Sequence, residues 1–137
     1  MRNRSLAREY ALQMLYQLDL RQAHCQHIPK EFWTEVAAPD DIKEFATQLF
    51  LGTAKYLEEI DPMIAGFANN WELKRMAIVD RNILRLACFE LGHLYDIPSK
   101  VTINEAVELA KKYGGIDSGK FTNGILDKIN KTDIKKP

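Results

Sequence analysis

The chain has 137 residues, 46% of them apolar, with 19 basic and 19 acidic side chains, so it carries no net charge at neutral pH. That length and apolar share suit one domain with a real core and exclude an intrinsically disordered chain. No apolar run reaches the ~18 residues that would span a membrane, and the N-terminus lacks the uninterrupted apolar segment of a secretory signal. Charge is uneven along the chain: residues 1–29 hold Arg2, Arg4, Arg8 and Arg21 against Glu9 and Asp19, residues 30–61 are acidic, and residues 62–137 are again basic. A basic surface could form only where the two ends meet. Cys25 and Cys88 lie far apart in different settings, which fits free thiols in a reduced, cytoplasmic protein.

The first segment reads as a helix. Ala7, Ala11, Met14, Leu15 and Leu18 recur at the spacing of one buried stripe, which places Arg4 and Arg8 at the rim of the core. "HCQH" (24–27) offers three metal ligands where structural zinc wants four, so it reads as a surface loop. Pro29 interrupts a polar stretch. A helix then starts at "PDDIKEF", capped by Asp40 or Asp41, with Phe45, Leu49, Phe50, Ala54 and Leu57 as its apolar face. "EIDPMIAGF" predicts a short helix with Asp61 as cap and Pro62 at the first helical position, and Asn70 resembles a further cap. From Arg75 to about Tyr95 the chain is apolar nearly all round, the pattern of a central helix, and Pro98 ends it. Thr102 and Glu105 have the spacing of a capping box for the next helix, whose stripe is Ile103, Ala106, Val107 and Ala110, with Gly114 as its left-handed cap. Asp117 or Ser118 caps the last helix, with Phe121, Ile125 and Ile129 on one face and Lys120, Asn123 and Asp127 on another; residues 130–137 form a polar tail. No segment alternates like a strand. The expected fold is all-α, about six or seven helices in a single domain over residues 1–137, with a basic segment at 1–9.

Gly114, Gly119 and Lys120 stand at G-x-x-x-x-G-K spacing, but Phe121 occupies the position of the magnesium-binding Ser or Thr, and a helix rather than a strand leads in. The phosphate-loop mechanism needs both. No nucleophile–base pattern is visible either, so the chain reads as a binding protein without catalysis or cofactor. Lys120 beside Phe121 supplies what single-stranded RNA requires, a cation for phosphate and an aromatic face for a base. From the sequence pattern alone Phe121 is better read as the head of a core stripe, because aromatics at helical spacing usually pack inward.

Four stretches together resemble the NusB family of transcription antitermination factors: "AREYALQMLYQLDL" (7–20), "DRNILRLACFEL" (80–91), "DIPSKVTINEAVELAKKYG" (96–114) and "DSGKFTNGILDKI" (117–129). The resemblance covers nearly the whole chain. It implies two antiparallel helical subdomains and binding of the boxA element of nascent ribosomal RNA transcripts together with NusE, in a complex with RNA polymerase and other Nus factors. Carried over by position, it implies an RNA surface of Arg2, Arg4, Arg8, Tyr16, Asp117, Lys120 and Phe121, with Asp80 and Arg85 near the RNA and partner surface. It leaves open whether the free protein is a monomer or a homodimer. Ser5 and Leu6 interrupt the arginine run seen in many relatives, which removes phosphate contacts and lowers the affinity expected of the protein alone.

Overall fold

The computed structural model describes residues 2–21, 25–68 and 73–132. Its helices are α1 (Arg2–Arg21), α2 (His27–Glu35), α3 (Asp40–Lys55), α4 (Leu57–Phe67), α5 (Ile78–His93), α6 (Ser99–Gly114) and α7 (Ile116–Asn130), with a 3-10 turn at Leu73–Arg75. There is no strand among the described residues. The all-α expectation holds, and so do its two halves. Helices α1–α3 form one group and α4–α7 the other, and α5 packs against α1, α3, α4, α6 and α7. Its sequence explains this: Asn82 to Leu84 and Leu86 to Leu91 are all buried, so α5 has almost no solvent face.

The stripe read on α1 is the buried one, Ala7, Ala11, Met14 and Leu15, joined by Leu12. Helix α2 was not expected. Its Pro29 lies in the first turn, where a missing N–H leaves no helical hydrogen bond unmade. Ile28 and Phe32 are buried, and Tyr10, Phe32 and Trp33 meet edge to face with centroids 4.9–5.7 Å apart. The Trp33 indole N–H donates to Thr47 Oγ1 at 3.0 Å, which ties α2 to α3.

Several expected helix ends move. Asp61 does not cap α4. That helix starts at Leu57 and carries Pro62 in its interior, because Ile60 and Ile64, one turn apart across the proline, are both buried. Burial of the two outweighs the one hydrogen bond that proline forfeits. Helix α5 begins at Ile78 rather than Arg75, after the 3-10 turn. The capping box at Thr102 and Glu105 does not form: α6 starts at Ser99, behind Pro98, and both side chains are engaged elsewhere. Gly114 is the last residue of α6, and Gly115, at φ +88°, is the left-handed residue. Helix α7 then begins at Ile116, so Asp117 stands in its first turn. The cap expected at Asn70 and the tail over 133–137 lie outside the described residues.

Candidate nucleic-acid interface

The one-residue reversal at Gly115 folds α7 back along α6, and the stem of Lys111 lies against Gly119, where a Cβ would come within 2.7 Å of its Cγ. This places Lys120 in the second turn of a helix, exposed, and not in a phosphate loop. Beside it opens a cleft of about 370 Å³ lined by Arg75, Met76, Ala77, Asp80, Asp117, Ser118 and Phe121. Phe121 is half-buried: it packs on the core and also walls the cleft, so it serves both readings. Asp80 and Asp117, 37 positions apart in sequence, meet on this cleft as the start of α5 passes the start of α7.

The arginines are distributed differently from the expectation. Arg8 is not at the rim. It is 2% exposed, and its Nε and Nη2 donate to the two Glu90 oxygens at 2.9 and 2.8 Å. Its Nη1 reaches Glu105 at 3.4 Å, and Thr102 Oγ1 donates to Glu90 at 3.1 Å. A buried guanidinium needs such partners to offset its desolvation, and α5 supplies the carboxylate. Arg85 is likewise mostly buried. It donates to Asp61 through Nε at 2.8 Å and Nη2 at 2.9 Å, and to Asp19 through Nη1 at 3.1 Å. Arg81 Nε and Asn82 Nδ2 complete the shell around Asp19 at 2.7 and 3.0 Å. Arg8 and Arg85 therefore hold α1, α4, α5 and α6 together rather than presenting charge to solvent.

Arg4 is exposed. Its guanidinium lies 4.4 Å from the centroid of the Phe45 ring and 3.8 Å from Asp96. Asp96 precedes the N-terminus of α6, whereas Lys120 follows the C-terminus, and a 16-residue helix is about 24 Å long. Arg4 and the start of α7 thus mark opposite ends of α6. The side chain of Arg2 lies outside the described residues, as does His24 of the "HCQH" stretch.

Between those ends α1 meets α6 through Glu9, which accepts from Lys112 Nζ at 2.8 Å and from Tyr113 OH at 2.6 Å. Burial alone would push the Glu9 carboxyl up. The two hydrogen bonds and the Lys112 charge win and hold it below the usual carboxylate range. Tyr16 lies two turns further along the same side of α1 and is 40% exposed. The structure thus gathers Asp80, Asp117 and Phe121 at one cleft, with Lys120 exposed on the same turn of α7 but not lining it, and leaves Tyr16 open on α1. Arg75, Glu9, Lys112 and Tyr113 are the residues that the sequence reading missed. Tyr113 stands one residue before the end of α6 and is 44% exposed.

The structure defines a class, small all-helical proteins built from two groups of helices, and comparison with known proteins makes the class specific. The NusB family model matches residues 5–131. The transcription antitermination protein NusB of Syntrophus aciditrophicus (strain SB) is 45% identical over 129 residues, which cover 94% of this chain and 80% of that protein. Among solved structures, NusB of T. maritima superposes with a TM-score of 0.87 at 39% identity, covering 98% of this chain and 93% of that one. A crystal structure of the antitermination factors NusB and NusE in complex with dsRNA also matches with a TM-score of 0.87, at 35% identity, covering 96% and 98% of the two chains. This chain belongs to the NusB family.

Proposed function

We propose that this protein is an RNA-binding antitermination subunit that acts in the cytoplasm, without catalysis. It engages boxA-type single-stranded RNA of nascent ribosomal RNA transcripts together with NusE, and through that complex joins RNA polymerase and other Nus factors. The observation that carries the reading is the likeness over nearly the full length to a NusB bound with NusE and RNA. The cleft at the start of α7 adds a physical rationale: Lys120 faces solvent beside an apolar wall that includes Phe121, and cation plus aromatic is the combination that follows an unpaired strand.

A second reading has an observation behind it as well. The family's arginine charge is sparse here, since Arg8 and Arg85 are turned inward and Arg4 is shared with Asp96. On that reading the chain is a protein adaptor with incidental RNA contact.

Fluorescence anisotropy of a labelled boxA-type single strand, titrated with this protein with and without NusE, separates the two. The first reading expects NusE to tighten RNA binding well beyond either protein alone, and the single strand to outcompete its own duplex. It further expects Lys120→Ala to reduce the salt slope by about one unit. NusE binding with no RNA dependence would leave the adaptor reading. Preference for the duplex would overturn the single-strand assignment.

A further inference from the structure

Glu9, Lys112 and Tyr113 form a built surface cluster that the cleft at α7 does not include. One carboxylate fixes both partners at their tips, at 2.8 Å for the ammonium and 2.6 Å for the phenol. The ring of Tyr113 is nevertheless 44% exposed, and Lys112 Nζ sits 5.6 Å from its centroid. An aromatic on the surface normally samples several rotamers, and ordering it on binding costs free energy. Here the hydroxyl is tethered before any ligand arrives. Lys112 has three N–H donors and gives one to Glu9, so donors remain for a phosphate oxygen. The cluster also has the right neighbours. Tyr16 lies two turns along α1 from Glu9, and the α7 turn with Asp117 and Lys120 begins within four residues of Tyr113.

Resting on the RNA-binding reading above, we infer that Tyr113 and Lys112 are a further RNA contact, a stacking platform for one unpaired base with a cation for the adjoining phosphate, and that Glu9 is its positioning residue. Tyr113 stands just before the turn into α7 and is tied to Glu9, two turns from Tyr16, so a strand that touches both α1 and the start of α7 has the platform within reach. Glu9 and Lys112 together carry no net charge, so Glu9 does not repel the strand and Lys112 serves the phosphate through its remaining N–H donors rather than through added net charge.

The test uses the full chain with saturating NusE and the same labelled RNA. Stacking on an aromatic side chain is worth ~1–3 kcal/mol per base, so Tyr113→Leu should weaken RNA binding about 5- to 150-fold. NusE binding and the melting curve should stay near wild type, since the ring is largely exposed. Glu9→Ala and Glu9→Gln remove the same charge, but only Gln keeps an acceptor for the phenol. A positioning role expects Ala to bind RNA more weakly than Gln. If Tyr113→Leu binds like wild type while Lys120→Ala is impaired, RNA binding stands and the platform is refuted. Equal affinities for the two Glu9 variants would refute the positioning role. If wild type with NusE ignores RNA, the RNA-binding reading itself fails and the platform falls with it.

Discussion

Arg8 shows how a single residue's environment decides its role. Both Glu90 oxygens accept from it, and both side chains are almost completely removed from solvent. Truncating one member of such a pair leaves the other as an uncompensated buried charge. Arg8→Ala should therefore destabilise the protein by about 3–5 kcal/mol, read as a drop in the urea midpoint. Replacing both members with apolar residues of similar size, Arg8→Met with Glu90→Leu, should recover part of that loss, because no fully buried charge is then stranded, although Thr102 Oγ1 loses its acceptor and Glu105 its cation. A surface arginine would give the opposite pattern, with little change in stability from the single substitution. The clue in the sequence was not Arg8 itself. It was Glu90, a lone acid inside the apolar run "LACFEL", which has to find a cation wherever it is buried.

At the scale of elements, the α6–α7 reversal depends on Gly115. At φ +88° and ψ −175° it occupies a region that residues with a side chain essentially never adopt, although there is open space around it. Gly115→Ala should cost about 1–3 kcal/mol through backbone strain alone, seen in thermal melts, whereas a neighbouring exposed position such as Lys112→Ala should be far milder. The helices legible from the chain were α1, α3, α5, α6 and α7, whose apolar periodicity runs long enough to mark a face, and α4, read from "EIDPMIAGF" with its start placed too late. Helix α2 was not, because in "HIPKEFWTE" a proline and five charged or polar letters hide two buried anchors, Ile28 and Phe32. Helix ends were the least legible feature. Thr102 and Glu105 have capping-box spacing, yet Glu90 and Arg8 compete for them across the core, and a spacing rule cannot see a partner on another helix. The same limit applies to the site. Lys120 and Phe121 stand out as neighbours in sequence, while the Glu9–Tyr113 contact joins residues 104 positions apart and leaves no local trace.

For the molecule as a whole, the ion pairs of α1 set its response to acid. Burial alone would raise the Asp19 carboxyl. Hydrogen bonds from Arg81 and Asn82, with the charges of Arg85 and Arg81, outweigh that and hold it below its ordinary 3.8. Glu9 is held below its ordinary 4.5 in the same sense. The folded state therefore binds these protons less tightly than the unfolded chain does. Their contribution to stability is fully present above the unfolded values and is lost as pH falls through them toward the depressed folded ones. The urea midpoint should fall between about pH 5 and pH 3, and Asp19→Asn should lower the neutral plateau while making that acid limb shallower. A variant that loses the plateau but keeps the full acid slope would show that other carboxylates govern it.

The partners of α1 also have a consequence for how the chain is made. Arg8 waits for a carboxylate 82 residues downstream, Asp19 for a guanidinium 62 residues downstream, and Glu9 for an ammonium 103 residues downstream. During synthesis α1 emerges before the residues that pair its charges, because α5 and α6 follow it in the chain. Its apolar stripe can pack on α3 early, but its charges are paired only by closing loops of 62 to 103 residues. A chain released before α5 is made would still offer α3 to the apolar stripe of α1, but Arg8 and Asp19 would lack these partners, so α1 should be held only loosely and be open to proteases.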